Sequence, residues 1–252
     1  MTEEQEAEIK ELIELSLDKA ENIWDNIKPL LEEAEKRALF AANAAVDTLI
    51  PGYPSIKEGE PHLDRFLAMA LDMRDSSKHL MCHIAGAKVT MLQRIFYETS
   101  ALLPVAARLV GYESGAVTEF LGDGLLAVFR VDDEDKTKTI YAAHRAAKGC
   151  MRAVECYVNS ALDRRYSLPP LKIGIGLSIS QAVVTLVGDP EAPHPKAFGQ
   201  CVFHATKLSN GVNEICVDEA LKMAWPTAKG GKLSFESRHY GNVKGYMLHS
   251  NE

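Results

Sequence analysis

Apolar and polar residues follow each other along this chain in patterns that predict strands alternating with helices. Runs rich in β-favouring residues predict strands at 66–72, 117–121, 125–129, 171–179, 182–188, 214–217, 232–237 and 244–249. Apolar residues at three- and four-residue steps predict helices at 76–96, 101–110, 139–162, 198–208 and 218–224. This order predicts an α/β fold, an α+β sandwich of ferredoxin-like type with one helical layer on a mixed sheet.

The first fifty residues are predicted to form a helical extension. Apolar residues recur at helical steps from about residue 3 to 48, and Pro29 is expected to break or kink this helix because proline lacks the N–H of an interior turn. The stripe fits a helix that lies on its own domain, and it also fits one that packs on a partner subunit. We therefore divide the chain into an extension at 1–50 and a main domain at 62–252, joined by the turn-rich segment 51–55.

Three shorter features predict irregular structure. Pro104 is expected to break the second predicted helix, and the proline-containing segment 190–195 is expected to be a loop. The charged run 132–138 predicts a solvated turn.

Composition limits the classes of function. The net charge of −7 and the pI near 5.7 argue against a nucleic-acid-binding surface, which needs a basic patch. Five cysteines without C-x-x-C spacing predict neither a disulfide framework nor a zinc site, which fits a reducing, cytoplasmic setting. The acidic N-terminus is unlike a signal peptide, and no apolar run has the length of a membrane span. We expect a soluble protein.

Two aspartates stand where predicted strands end. Asp123 lies in the Gly122-Asp-Gly124 turn between two strands, which predicts the tip of a hairpin, and Asp72 ends the earlier run 66–72. Two carboxylates at the ends of adjacent strands can share divalent cations that clamp a triphosphate. From spacing alone the signal is weak, because an Asp-Gly turn is usually only a turn. Without metal such carboxylates repel each other, so removing either one is expected to raise the melting temperature.

Four segments together resemble the class III nucleotidyl cyclases, which convert nucleoside triphosphates into cyclic monophosphates and pyrophosphate. Residues 119–129, Glu-Phe-Leu-Gly-Asp-Gly-Leu-Leu-Ala-Val-Phe, resemble the family's metal hairpin, and 70–77 resemble its first metal motif. Residues 172–178 and 198–208 are similar to its later strand and helix, so the resemblance covers about three quarters of the chain in order. It implies the cyclase catalytic fold, two Mg²⁺ or Mn²⁺ ions per site on Asp72 and Asp123, and a head-to-tail homodimer with two composite sites.

The chain departs from the family pattern at the substrate. Asp75-Ser76-Ser77 replace Gly-Phe-Thr, and Phe203 and Lys207 replace the asparagine and arginine that orient the ribose and stabilise the transition state. These changes either disable the domain or mark a subfamily with another substrate. The chain is most similar to the bacterial pyrimidine cyclases of antiphage signalling, which make cyclic UMP or cyclic CMP for a separate effector. Lys207 can supply positive charge to the phosphorus but not the bidentate fork of arginine.

The resemblance also implies contacts to the triphosphate. Backbone N–H groups from Met73 to Ser77, including Ser76, are expected to cradle the β- and γ-phosphates. Arg74 is interpreted as a supporting or surface residue. Lys244 is a candidate phosphate contact by its position in the last hairpin, or a surface lysine.

Two positions are expected to recognise the base. Glu119 and Lys196 occupy the family's base-reading slots, and a carboxylate accepts an N–H while an ammonium donates to a carbonyl oxygen. Uracil and guanine match this pair, whereas neutral cytosine lacks N3–H. Phe203 adds bulk that favours a one-ring base, so we expect UTP first and GTP second. Guanylate or cytidylate cyclase, a degenerate nucleotide-binding or dimerisation module, and a polymerase-like palm are the alternatives, the last opposed by the acidic charge.

Overall fold

A computed structural model describes residues 45–189, 191–227 and 233–250. They fall into two units. The larger takes in Leu49–Pro54, Asp64–Ala182 and the described residues from Phe198 onward, and the smaller takes in the described residues up to Thr48, Ser55–Leu63 and the described residues of Val183–Ala197. The predicted N-terminal helix lies outside the described residues up to residue 44. The helix was predicted to continue to about residue 48. This end of the prediction is wrong, because Ala45–Asp47 form a strand that pairs with Ser55–Lys57.

The described strands form one large mixed sheet and a separate two-stranded sheet made of the first two strands. In chain order the strands are β1 (Ala45–Asp47), β2 (Ser55–Lys57), β3 (His62–Met73), β4 (Ala116–Phe120), β5 (Gly124–Arg130), β6 (Ile173–Asp189), β7 (Ala192–Gly199), β8 (Glu214–Asp218), β9 (Leu233–Tyr240) and β10 (Val243–Ser250). The order across the sheet is β4-β5-β3-β6-β8-β10-β9. The β6–β8 pair is parallel, whereas β3–β5, β4–β5, β8–β10 and β9–β10 are antiparallel.

The helices differ from the predicted ones mainly at their breaks. They are α1 (Ser76–Met81), α2 (Met91–Tyr112), α3 (Lys136–Ala153), a π-helical turn (Val154–Val158), α4 (Asn159–Tyr166), α5 (Gln200–Leu208) and α6 (Glu219–Ala224). The predicted helix 76–96 is interrupted, because Thr90 and Gln93 form a capping box that starts α2. Pro104 lies inside α2 and does not break it. Burial of Leu102 and Ala106 on either side holds the helix through the proline.

Three further boundaries correct the prediction. The predicted strands 171–179 and 182–188 are one continuous strand, β6. The predicted proline-rich loop is largely strand β7, which pairs with β6 away from the main strand order, and such a position tolerates prolines that cannot donate a hydrogen bond. In the charged run, Asp135 caps α3 by accepting from the Lys138 amide, so residues 136–138 are helical rather than a turn.

Helices cover both faces of the sheet in the larger unit. Alternate residues of β3, Leu67, Met69 and Leu71, are buried in a core with residues of α2 and α3. On β6, Ile173 and Ile175 belong to the same core, so Gly174 and Gly176 face the other way. There a Cβ on Gly176 would lie 2.0 Å from the carbonyl oxygen of Ala205 in α5. The single helical layer of the prediction is therefore wrong, since α5 lies against the opposite face.

Candidate active site

Strand alternation places Asp72 on the face of β3 that is turned away from α2 and α3. Leu71 and Met73 belong to the core beneath those helices, whereas Ala70 and Asp72 share the opposite face. Asp72 is the last residue of β3 paired with β5, and its partner in the register is Gly124. Its side chain is 33% exposed. The carboxylate is therefore held by a strand and open to solvent.

The hairpin holds Asp123 beside this carboxylate. The turn is closed by hydrogen bonds from the Leu121 amide to the Gly124 carbonyl and from the Asp123 amide to the Leu121 carbonyl, both 2.9 Å. Gly122 has φ +76°, which other residues rarely adopt. The Met73 amide donates to the Asp123 carbonyl at 3.3 Å, which ties the turn to the end of β3. The predicted hairpin and the predicted neighbourhood of the two aspartates are both present.

Gly124 is needed because two backbones approach each other closely. A Cβ at this position would lie 2.3 Å from the carbonyl oxygen of Leu71. Real Cβ atoms do not approach backbone oxygen this closely, so any larger residue would push the hairpin away from β3. The glycine therefore sets the spacing between the strand that carries Asp72 and the turn that carries Asp123.

Arg74 is the residue whose position the sequence did not reveal. Its guanidinium forms an ion pair with the carboxylate of Asp72 and hydrogen bonds to Asn210, at 3.3 Å to the main-chain oxygen and 3.2 Å to Oδ1. The side chain is 15% exposed, and its Nε is buried without a hydrogen-bond partner among the described residues. Burial lowers the pKa of Arg74, while Asp123 is foremost among the carboxylates that oppose this shift. Of the two interpretations of Arg74, a supporting residue or a surface residue, the surface one is wrong. The Asp-x-Arg spacing was the available signal, because residues two apart on extended chain share a face.

The segment after Asp72 offers fewer free amides than expected. The Met73 amide is bonded to Asp123, and the Arg74 amide donates to the Lys172 carbonyl at 2.8 Å. The Met73 side chain is buried. The expectation that a phosphate binds the Met73 amide is therefore corrected. The first-turn amides of Ser76 and Ser77 lie at the start of α1, where a helix leaves N–H groups without intrahelical acceptors.

A buried ionic network fastens α1 to α2. Glu98 is fully buried and accepts from Arg94 Nε at 2.8 Å, and its other oxygen lies 2.7 Å from His79 Nδ1. A buried carboxylate needs such partners because desolvation strongly disfavours an isolated charge. His79 lies on α1, directly after the segment that carries Arg74. The network thus anchors the helix that follows the candidate site, and it was not predicted from the sequence, because Arg94 and Glu98 lie 15 and 19 residues from His79.

The α5 residues predicted to contact substrate lie on one exposed side of their helix. Phe203 is 58% exposed, and the Lys207 ammonium lies 5.7 Å from its ring centroid, as expected for residues four apart on a helix. The glycines of β6 allow the backbone of α5 to lie close to the sheet, which leaves this side open to solvent. These two side chains are therefore available to a ligand or a second chain.

The remaining predicted residues are spread over other elements. Glu119 is half-buried on β4 beside an irregularity in the β4–β5 register, and Lys196 is half-buried on β7 in the smaller unit. Lys244 is exposed on β10, where its ammonium lies 3.5 Å from Glu219 and 5.2 Å from the Tyr246 ring. Lys244 thus already has an acidic neighbour on α6.

The two aspartates suit a hard divalent cation. Within the described ranges, no group of three or more His, Cys, Asp or Glu side chains could hold a metal. Mg²⁺ sites in nucleotide enzymes often use only one or two carboxylates and take their other ligands from water and substrate phosphates. Asp72 and Asp123 match that donor set once the Arg74 guanidinium leaves Asp72. The residues present therefore fit the metal that the resemblance implies.

Comparisons with known proteins show the fold. No protein-family model and no curated protein matches the sequence. Among solved structures, the guanylyl cyclase Cya2 has a TM-score of 0.62 at 15% identity over 75% of this chain and 93% of its own. The adenylyl cyclase CyaB from P. aeruginosa has 0.62 at 14% identity, over 77% and 97%. The guanylate cyclase domain of RhGC from Catenaria anguillulae, in complex with GTP, has 0.57 at 13% identity, over 77% and 100%.

These similarities extend over nearly the whole length of the three solved cyclase chains. In the part of the chain that the structure describes, no helix is long and apolar enough to cross a membrane. At these low identities the comparison establishes architecture rather than chemistry. The chain has the fold of the class III nucleotidyl cyclase catalytic domain.

Proposed function

We propose that this protein is a nucleotidyl cyclase that converts a nucleoside triphosphate into a 3′,5′-cyclic monophosphate and pyrophosphate. The observation that carries the proposal is the pairing of Asp72 with Gly124, which sets one carboxylate beside the Asp123 hairpin on a cyclase fold. Side chains of this type at this place suit the reaction, because phosphoryl chemistry depends on positioning and on neutralising the charge of the phosphates.

The chain's own residues have separate roles in this proposal. Asp72 and Asp123 would hold the divalent ions, two Mg²⁺ or Mn²⁺ per site, and such ions would lower the pKa of the ribose 3′-hydroxyl and neutralise phosphate charge. The amides of Ser76 and Ser77 bind the outer phosphates. Lys207 supplies positive charge to the phosphorus as the 3′-oxygen attacks and pyrophosphate leaves, without the bidentate geometry of arginine.

The proposed substrate is UTP, giving cyclic UMP. Glu119 accepts the uracil N3–H, Lys196 donates to a carbonyl oxygen, and the exposed ring of Phe203 stacks on the base. Guanine presents a similar edge, so the bulk of Phe203 carries the preference for a one-ring base. Guanylate or cytidylate cyclase activity is the alternative within the same chemistry.

The proposed assembly is a homodimer with composite sites. The exposure of both Phe203 and Lys207 supports it, because these side chains are open to a facing subunit. The product would act in the cytoplasm as a second messenger of antiphage defence on a separate effector, as the resemblance to pyrimidine cyclases implies.

One observation favours a different function. The Arg74 guanidinium lies on the proposed metal carboxylate, and Phe203 and Lys207 depart from the family pattern, as in a domain that only binds nucleotide. Incubating the full chain with ATP, GTP, CTP and UTP and Mn²⁺, followed by mass spectrometry, separates the two. A cyclic product, with cyclic UMP the most abundant, supports the proposal. Nucleotide binding without any cyclic product identifies a binding module.

A further inference from the structure

The position of Arg74 suggests more than a supporting role. Its guanidinium contacts Asp72 at one end and Asn210 at the other, and its backbone amide is fixed to the Lys172 carbonyl at 2.8 Å. The side chain therefore links the end of β3 to the residues that directly follow α5. The two carboxylates of Asp72 and Asp123 carry two negative charges, and the guanidinium of Arg74 reduces the sum to one.

We propose that Arg74 is an internal cation that holds Asp72 in the nucleotide-free protein, and that a divalent metal has to displace it. The inference rests on the proposed function, because it concerns the same two aspartates. A guanidinium and a divalent cation cannot occupy the same carboxylate oxygens, since both need its lone pairs and like charges repel. Within the described part of the chain the buried Nε has no acceptor, so the guanidinium is held mainly by its outer nitrogens.

Displacement of Arg74 has a consequence at a distance from the metal. When the guanidinium leaves Asp72, its contacts with Asn210 are broken or rearranged. Asn210 also donates to the Lys207 carbonyl at 3.1 Å and so caps the end of α5. Metal loading would therefore be transmitted to the helix that carries Phe203 and Lys207. The metal would bind weakly until a triphosphate supplies the additional ligands that outcompete the arginine.

The test measures Mn²⁺ binding to the full chain without nucleotide, by isothermal titration calorimetry and by the loss of the free-Mn²⁺ electron paramagnetic resonance signal. Arg74→Gln keeps a polar side chain but removes the cation, and we expect it to bind Mn²⁺ about tenfold more tightly, the equivalent of about 1.4 kcal/mol. Asn210→Ala removes only the far anchor and should tighten binding in the same direction by a smaller factor. It also covers the case in which Arg74→Gln folds poorly.

Arg130→Gln is the matched control. Arg130 pairs with Asp64 at 2.6 Å across β5 and β3, seven residues along β5 from Asp123, and its removal should leave Mn²⁺ affinity unchanged. A merely structural role for Arg74 would weaken Mn²⁺ binding on substitution, so the sign of the change decides. Equal or weaker binding by both Arg74→Gln and Asn210→Ala overturns the inference, while Asp72-dependent binding by the wild type keeps the proposed function. Absence of Mn²⁺ binding by the wild type and by both variants overturns both.

Discussion

The charge balance around Asp72 determines how the metal-free protein responds to substitution. The sequence predicts that removing either aspartate relieves repulsion and raises the melting temperature. Because Asp72 pairs with Arg74, we now expect Asp72→Ala to lower it by about 2–4 °C, for about 1 kcal/mol at this chain length. The variant leaves a half-buried guanidinium without its carboxylate.

The control for this prediction is Asp123→Ala, which keeps the Asp72–Arg74 pair and should change the melting temperature less. Thermal denaturation in a chelating buffer, followed by circular dichroism, compares the two. A higher melting temperature for Asp72→Ala would restore the simple repulsion argument and contradict the importance of the ion pair.

Base selection is the second prediction at the scale of single residues. Glu119→Ala should lower UTP turnover by about tenfold to a hundredfold, the range for losing a hydrogen bond to a charged group. Phe203→Ala should leave the hydrogen bonds to the base unchanged, and it should raise the ratio of GTP turnover to UTP turnover. Competition between the two nucleotides, with products quantified by mass spectrometry, measures both. Unchanged UTP turnover in Glu119→Ala would remove this residue from base recognition.

Individual residues were predictable where a family pattern names them. Asp72 and Asp123 could be placed because a strand end and a Gly-Asp-Gly turn fix where such side chains lie. For Arg74, the Asp-x-Arg spacing was a signal for the pair with Asp72, but the contact with Asn210 could not be predicted, because Asn210 is 136 residues further along the chain. Sequence periodicity gives no information about contacts of that range.

Among the elements, the β3–β5 ladder is the one that builds the candidate site. Gly124→Ala should destabilise the protein by about 1–3 kcal/mol, because a Cβ there would lie 2.3 Å from the Leu71 carbonyl oxygen and would force the strands apart. UTP turnover should fall by more than the loss of folded protein explains, because the shift separates Asp72 from Asp123. Urea denaturation and UTP turnover on the same preparation measure the two effects.

Gly111→Ala is the control, because it makes the same substitution of glycine by alanine at another position. Gly111 lies in α2, a Cβ there meets nothing within 4 Å, and alanine favours a helix over glycine by about 1 kcal/mol. This variant should be at least as stable as the wild type and equally active. If Gly124→Ala behaves like Gly111→Ala, the close approach at the hairpin does not position the aspartates.

Elements were predicted well where local signals are strong. The hairpin, α5 and the closing β9–β10 pair follow from turn glycines and apolar periodicity, and the structure confirms them. The missed boundaries have tertiary causes. β7 gains its strand conformation by pairing with β6 despite its prolines, and α2 passes through Pro104 because both flanking turns are buried in the core. Local propensity favours the opposite outcome in each case.

At the scale of the whole molecule, the fold was predicted from the sequence, but the division of the chain into two units was not. The order of strands and helices predicted an α/β sandwich, and the four segments that resemble class III cyclases implied the cyclase fold, which the structural comparisons show. The smaller unit combines segments of three separate stretches of chain, so no single change of composition marks its boundaries. The predicted boundary between residues 50 and 62 stays a prediction, because residues 1–44 lie outside the described part.

Composite sites are the prediction at this scale. An Asp123→Ala chain and a Lys207→Ala chain should each be inactive, and a mixture should regain activity, because one site of the heterodimer then combines only intact residues. Subunit exchange is checked by co-purification of differently tagged chains. Exchange without recovery of activity would indicate that each site is complete within one chain.

The central claim is that Asp72 and Asp123 support cyclisation of a nucleoside triphosphate. The most direct measurement follows UTP turnover with Mn²⁺ by mass spectrometry for the wild type, Asp72→Asn and Asp123→Asn, which keep the side-chain shape but remove the charge. We predict cyclic UMP and pyrophosphate in equal amounts from the wild type and at least a hundredfold less from each variant, about 2.7 kcal/mol of lost transition-state stabilisation. Wild-type turnover that yields only UDP or UMP, or cyclic UMP formation that persists in both variants, would contradict the account.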